Sequence, residues 1–390
     1  MGNLKVAVPI IGGEHWGGGV TYLEYLAKSS SLLQENKKLD LFLIVRQHQL
    51  RDYAMHKSFL NYFAGVIFIG GHSDEVELTI GDSVIFCDSY DELAKMTDVY
   101  FPASSIALPN RCSVSWIPDF QHKYLSNFFS QEEIVHRDNK FKEIADQAKI
   151  VIFSSESAKN DFLKFYPESK AMTDVLRFYL LPNEKWYNSY SNEILDKYGI
   201  DSEYIICSNQ FWIHKNHKLL FQSIKVLKDM GIEIKVVCTG GTIDNRNDKY
   251  FGNLMSYIEQ NNLTQNIKIL GFIPREEQIQ LIRNSLFVVQ PSHFEGWSTI
   301  VEDCRVLGKM ILMSDIDVHI EQAPRYGYYF KQNDPDHLAS QIRLLIDQKV
   351  DPEQQRKRER EAKDDAYKNV ERYAETLYSI LTSAVVNFNN

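Results

Sequence analysis

Three things are scarce in this 390-residue chain, and each scarcity excludes a class of protein. Cysteine is sparse and unpatterned: Cys87, Cys112, Cys207, Cys238 and Cys304 form no C-x-x-C pair, and four of them sit inside or beside apolar strand or helix patterns. That usage argues for buried free thiols in a reducing compartment and against a disulfide framework or a zinc site. Long apolar runs are missing: none approaches the roughly 18 residues that cross a bilayer. The segment MGNLKVAVPIIGG carries no basic stretch with a cleavage site, and Val6 does not suit a myristoylation signal. Positive charge is short: 43 Lys and Arg against 52 Asp and Glu give a net charge of −9. This argues against nucleic acid as the main partner and against a uniformly basic membrane-binding face. The expectation is a cytoplasmic protein.

What is present is an ordinary globular composition, 44% apolar and 24% charged, in a chain long enough for two domains. Short β-branched runs alternate with helical stretches, as in parallel sheets covered on both faces. The first half offers Lys5–Ile10, Leu41–Val45, Val66–Ile69, Val84–Cys87, Val99–Phe101, Ser113–Ile117, Ile150–Phe153 and Val175–Tyr179 as strands. After a polar, turn-rich interruption the pattern restarts with Tyr204–Ser208, Ile234–Thr239, Ile267–Leu270, Leu286–Gln290 and Met310–Ser314. The reading is α/β: two doubly wound, Rossmann-like domains over residues 1–180 and 200–365, joined by a linker at 181–199 and facing across a cleft. In such sheets ligands bind beyond the carboxyl ends of the strands. A charged helical stretch from Asp351 onward carries Val370, Tyr373, Leu377 and Ile380 on one stripe.

The most informative stretch is PSHFEGWSTIVEDCRVLGK, Pro291 to Lys309. The apolar run before it closes on Pro291 and Ser292, Glu295–Gly296 turns the chain, and Ser298 onward has helical periodicity. Thr299-x-x-Glu302 matches a capping box and sets the helix start near Thr299. A strand end feeding a glycine turn and a helix N-terminus is an anion site, because free N–H groups and the dipole face outward together. A carboxylate beside it makes sense if the ligand also carries hydroxyls, as a sugar does. Taken bare, the same acids also suit a surface turn and a helix start favoured by the dipole.

FEGWSTIVEDCRVLGK resembles the E-x7-E signature of retaining glycosyltransferases of family 4, the glycosyl transferases group 1, which have the two-domain GT-B fold. The resemblance implies that Glu295 holds donor-sugar hydroxyls. The ribose position falls on Asp303, where the family usually has Glu, and Gly296, Trp297, Ser298 and Thr299 line the donor between them. It also implies that the last helix, 366–390, packs back on the N-terminal domain.

Four further segments fit the same family. Gly12-Gly13-Glu14-His15-Trp16-Gly17-Gly18-Gly19 follows the first strand and precedes a helix expected from about Val20. Its spacing is not that of a dinucleotide fingerprint and it has no Walker lysine; it resembles the family's glycine loop, putting Gly17, Gly18 and Gly19 near the donor diphosphate, though a flexible turn fits as well. Ser208-Asn209-Gln210-Phe211-Trp212-Ile213-His214-Lys215 resembles the family's Gly-Arg-x4-Lys segment with Gln210 in place of Arg. This makes Lys215 its main cation, for stabilising a departing nucleoside diphosphate, with Asn209 and Gln210 beside the donor. Trp116-Ile117-Pro118-Asp119-Phe120-Gln121-His122 resembles the segment carrying the family's active-site histidine, here His122. Leu270-Gly271-Phe272-Ile273-Pro274 resembles the turn that presents backbone around Ile273 to the base; a plain strand-to-helix turn with Pro at the helix start fits it too.

Asp315-Ile316-Asp317 spells the metal motif of the other main glycosyltransferase fold, yet it leads into Val318-His319-Ile320-Glu321-Gln322, a context resembling the GT-B segment. No metal is expected. The resemblance implies a retaining, metal-independent glycosyltransferase with no cofactor. It would move a hexosyl or deoxyhexosyl group from a nucleotide-diphospho sugar, UDP or GDP carried, by front-face substitution. The acceptor would be a saccharide or lipid-linked saccharide of a bacterial surface polysaccharide. Two other readings stay open: a GT-B nucleotide-sugar epimerase or hydrolase, and a non-catalytic carbohydrate-binding relative. The segment Lys123–Lys142, with Tyr124, Phe128 and Phe129 among cations, suggests peripheral contact with the inner face of the membrane if those rings are exposed; the same rings also suit packing within the first domain.

Overall fold

The computed structural model describes residues 3–13, 17–81, 83–103, 111–187, 193–244, 246–348 and 350–389. Glu14, His15 and Trp16 of the glycine-rich segment lie outside the described residues. The chain forms two compact units. Met1–Phe120, Val135–Leu181 and Lys368–Asn390 make the first; Gln121–Ile134 and Pro182–Tyr367 make the second.

The first unit is built on eight strands: β1 (Leu4–Pro9), β2 (Leu39–Arg46), β3 (Gly65–Ile69), β4 (Ile85–Cys87), β5 (Val99–Ala103), β6 (Ser113–Ile117), β7 (Ile150–Phe153) and β8 (Met172–Val175). Their order is β4-β3-β2-β1-β5-β6-β7-β8, every pairing parallel. Val6, Ala7 and Val8 on β1 and Val151, Ile152 and Phe153 on β7 are all fully buried, as strands covered on both faces require. Val370, Tyr373, Leu377 and Ile380 of the helix Pro352–Asn389 are buried as well, so the expected stripe is the packed face.

The edge strand departs from expectation. The apolar run from Val175 on is not a strand; the strand is Met172–Val175, whose exposure alternates. An edge strand with one wet face carries polar residues at every second position and so gives a weak apolar signal. Leu176, Phe178 and Leu180 are buried by packing instead of pairing.

The second unit holds β9 (Tyr204–Ser208), β10 (Lys235–Thr239), β11 (Ile267–Gly271), β12 (Val288–Gln290), β13 (Ile311–Ser314) and β14 (Gly327–Phe330). Here the order is β11-β10-β9-β12-β13-β14, again parallel throughout. β14, GYYF, is an edge strand without a β-branched residue and was not expected from sequence. Helix His217–Asp229 buries Leu219, Leu220, Phe221, Ile224 and Leu227 against this sheet, the spacing of a single helical face. Because the chain runs outward from β9 and then returns to β12 beside it, strand order reverses between these two. A sheet of this kind takes its ligand at that reversal.

A buried charge cluster ties this unit to the start of its last helix. Arg283 (1% exposed side chain) donates to both oxygens of Glu359 at 2.7 and 3.0 Å. Nearby, Lys309 donates to the carbonyls of Arg283, at 2.9 Å, and Ser285. Burial pushes its ammonium down to about 8. Glu359 is thus the acid that offsets a buried guanidinium and a buried ammonium. Removing one partner of a buried pair typically costs about 3–5 kcal/mol, because the other charge stays desolvated. Glu359→Gln is expected to lower stability in urea unfolding by that amount; a change below about 1 kcal/mol, the value of a surface pair, would show that the cluster is wet.

Candidate active site

The site grows from the two strands at the reversal. Asn209 directly follows β9 and Gln290 ends β12, and the Asn209 amide donates to Gln290 Oε1 at 2.6 Å. Both side chains are buried, so this bond joins the two loops inside the protein. Gln290 then donates to Glu295 Oε1 (2.9 Å) and to the hydroxyls of Ser292 (3.1 Å) and Ser298 (3.2 Å). Ser292 donates to the same Glu295 oxygen at 2.6 Å.

Lys215 arrives from the other loop. A one-turn helix, Ile213–Lys215, closes at Asn216, whose backbone is left-handed (φ 53°), before the helix His217–Asp229 begins. Lys215 Nζ donates to both oxygens of Glu295, at 2.7 and 2.9 Å, with side-chain exposures of 16% and 7%. Glu295 therefore receives four donated bonds and is fixed before any substrate arrives.

Around this pair the loop is pinned from behind. Gln322 accepts from Ser298 N (3.1 Å) and donates to Ser298 O (3.0 Å) and to Glu302 Oε1 (3.0 Å). Glu302 is fully buried and also takes Arg305 at 3.0 Å; burial raises its carboxyl. The helix does begin at Thr299, with Ser298 as its cap residue, yet no side-chain capping bond forms. Glu302 turns toward Gln322 and Arg305, an interior acid taking interior donors in preference to a backbone amide. For the same reason the Ser298 N–H is not free to meet an anion, as the bare motif suggested.

Two more of the expected donor residues are engaged within the protein. Gln210 Oε1 accepts from Gly241 N at 2.7 Å, clamping the loop after β9 to the loop after β10. Asp303 is held by an arginine. Arg275 grips both of its oxygens, one at 2.8 Å, with Asp303 only 3% exposed, and the guanidinium lies 5.4 Å over the Trp186 ring. An aspartate, one methylene shorter than glutamate, is drawn onto the helix Arg275–Asn284 that presents the arginine.

The remaining candidates divide between the units. Ile273 is buried in the turn after β11, where Gly271 is left-handed (φ 70°) and Phe272 is 80% exposed. Gly296 is half-buried, Trp297 and Ser298 are buried and Thr299 is exposed. His122, 1% exposed, sits on the turn Gln121–Tyr124, which packs in the second unit. Its ring meets Phe129 edge-on at 6.5 Å. Phe129 is itself buried, Phe128 lies 6.5 Å from His293, and Tyr124 stacks on Phe294 at 5.8 Å. Of the rings suggested for a membrane face, Phe129 is buried and Phe128 half-buried, while Tyr124 stays 48% exposed. Gly17, Gly18 and Gly19 lie in the first unit and open the helix Gly17–Ser30, which starts three residues earlier than expected. A Cβ on Gly19 would stand 2.6 Å from Gly12 N, so only glycine permits this approach.

Several participants were not anticipated: Gln290, Ser292, His319, Gln322, His214, Asp244 and Arg246. The legible signal for Gln290 was a lone amide ending an apolar strand. Asp315 accepts from Gln332 N (2.8 Å) and Asp317 starts a helix. Among the described residues no cluster of three or more His, Cys, Asp or Glu is placed to hold a metal, and no helix is long and apolar enough to cross a membrane.

With this geometry in hand the relatives can be compared. The family model described as Glycosyl transferases group 1 matches residues 191–365. The matched stretch lies within the second unit, Pro182–Tyr367. HepE of Anabaena, in complex with UDP and glucose, superposes with a TM-score of 0.68 at 13% identity, over 98% of this chain and 100% of that one. The sucrose-phosphate synthase of Thermosynechococcus elongatus gives 0.63 at 13%, over 98% and 100%. WaaG, a glycosyltransferase involved in lipopolysaccharide biosynthesis, gives 0.56 at 12%, over 97% and 98%. At such identities these likenesses establish the fold, which is GT-B. No curated protein matches the chain in sequence.

Two buried imidazoles, His319 and His214, feel the charges of the ion pair. His319 receives no solvent; its Nδ1 sits 2.9 Å from Ser314 O, and Nε2 has no partner. Burial holds it at about 4, with Glu295 pulling up and Lys215 pushing down. His214 is held well below its usual value by burial first, then by Lys215 and Arg246. In each case the unfolded chain, with an imidazole near 6.5, binds a proton that the folded chain refuses. The stability that these groups contribute is complete above pH 6.5 and is lost as pH falls toward the folded values. The expected loss is about 1.4 kcal/mol per pH unit for each neutral imidazole, read by urea unfolding at pH 7.5, 6.5 and 5.5. His319→Gln should remove one proton from that slope; an unchanged slope would overturn the assignment.

Proposed function

We propose that the protein is a retaining glycosyltransferase that uses a nucleotide-diphospho sugar. The observation that carries the reading is the Lys215–Glu295 pair at the strand-order reversal of a glycosyl transferases group 1 domain. Glu295 is an acceptor for donor hydroxyls, its orientation set by Gln290 and Ser292. Lys215 is a fixed ammonium for the charge that develops on the departing diphosphate. As a donor binds, the two exchange partners: hydroxyls take up the carboxylate and phosphate oxygens take up the ammonium. His122, in the same unit, faces the reacting sugar.

Glu295 is engaged by four donated bonds and serves poorly as a covalent nucleophile. The reaction proceeds by front-face substitution. The acceptor hydroxyl attacks the anomeric carbon on the side from which the diphosphate leaves, and its proton passes to the leaving phosphate oxygen. The carrier is UDP or GDP and the group a hexosyl or deoxyhexosyl unit; no metal takes part. The acceptor is a saccharide or lipid-linked saccharide of a surface polysaccharide, met in the cytoplasm at the inner face of the membrane. In the aromatic segment 124–129 the Phe129 ring is buried and Phe128 half-buried, which leaves Tyr124, 48% exposed, as the ring open to a peripheral membrane contact.

Lys215→Ala is expected to lower kcat by about 10²–10³, as loss of a transition-state electrostatic contact does, in an assay of nucleotide release with acceptor present. A rise in KM alone would make Lys215 a ground-state binding residue. Glu295→Gln should keep the fold and lose about 10- to 100-fold in kcat/KM. EDTA should leave the rate unchanged; a collapse restored by Mg²⁺ would bring Asp315 and Asp317 into the mechanism, and nucleotide release independent of acceptor would favour a hydrolase or epimerase.

A further inference from the structure

A departing nucleoside diphosphate carries more negative charge than one ammonium balances, and Lys215 is already shared with Glu295. Gln210, in the same loop, is neutral and turned onto Gly241. The loop that receives it, however, continues from Gly241 to Asp244 and Arg246. Asp244, 3% exposed, accepts from Ile213 N at 2.9 Å, and with its other oxygen from Arg246 N (3.1 Å) and Nε (3.2 Å). One buried carboxylate therefore holds both the turn that presents Lys215 and the arginine of the neighbouring loop.

The guanidinium itself is fixed on several sides. Nη1 donates to Gln121 Oε1 and Nη2 to His214 Nδ1, each at 3.2 Å. The Phe129 and Trp212 rings each lie 5.4 Å from it. Arg246 thus spans from the residue before His122 to the residue before Lys215, and its side chain remains 18% exposed. These bonds use three of its five N–H groups. His214 O in turn accepts from His293 N at 2.8 Å, which continues the network into the Glu295 loop.

Resting on the glycosyltransferase reading, we propose that Arg246 is a second cation for the leaving diphosphate, delivered by the loop after β10 to the side of Lys215. The electrostatics agree: Lys215 and Arg246 both bear on the buried His214 ring, and each pushes its protonation down, so the potential there is positive. Two fixed cations acting on one neutral imidazole make an anion site, whereas on His319 the carboxylate of Glu295 acts more strongly than Lys215. The planar fork of arginine can keep Asp244 and still offer an N–H to a phosphate oxygen.

The test compares a nucleoside diphosphate with its own nucleoside by calorimetry, using whichever of UDP, GDP, ADP and dTDP the wild type binds most tightly. Arg246→Gln is expected to lose about 10- to 100-fold in affinity for the diphosphate while the nucleoside binds as before. Arg246→Lys should retain part of the preference, since charge is kept and the fork is lost. Equal losses for diphosphate and nucleoside, or an unchanged diphosphate affinity, would overturn the proposal; the first of these would mark Arg246 as a support for the loop only. A wild type that binds none of the four diphosphates would overturn the glycosyltransferase reading itself, a result distinct from failure of the Arg246 variants alone.

Discussion

The second unit depends on one topological constraint, the reversal of strand order between β9 and β12. Parallel strands on either side of a reversal send their following loops in opposite directions, which leaves a gap at their carboxyl ends. Here the gap is crossed by polar side chains buried in the fold: Asn209 to Gln290, Gln290 to Glu295, and Glu295 to Lys215. Every buried donor in that series needs its acceptor, so the series orients the carboxylate and the ammonium together. Gly240 follows the same logic, since a Cβ there would stand 2.0 Å from Asn209 O.

Rigidity of the loop between Glu295 and Ser298 comes from a second layer. Gln322 holds both the amide and the carbonyl of Ser298, and Glu302 and Arg305 hold Gln322. This is why Glu302 is an interior residue although the sequence sets it in the first turn of a helix. A helix-start acid has a modest preference for the dipole; a fully buried one is governed by the donors around it, and here those donors are side chains.

The site is electrically graded. Arg246 and Lys215 bear on His214, while Glu295 is the stronger influence on His319. Neutral imidazoles allow such a grading inside a small volume without placing further unpaired ions there. An unpaired ion in that interior would be costly, and the same cost explains why Asp303 is closed by Arg275 and Asp244 by Arg246.

Most of the architecture was legible because strands covered on both faces read as nearly continuous apolar runs, as β1, β7, β9 and β13 do. β8 and β14 were misplaced or missed because edge strands bury one face, which weakens that pattern. The sequence by itself determined the α/β alternation, the turn at Glu295–Gly296, the helix start at Thr299 and the pairing of a cation loop with an acid loop. It could not determine which donor each acid would take. Glu302 and Asp303 differ by one position and one methylene, and their partners lie twenty and twenty-eight residues away. Arg246 is separated from Gln121 by 125 residues, so no local spacing rule could have joined them. Only the tertiary structure decided those pairings, because a buried charge accepts whichever partner the packing of distant segments brings within hydrogen-bond reach.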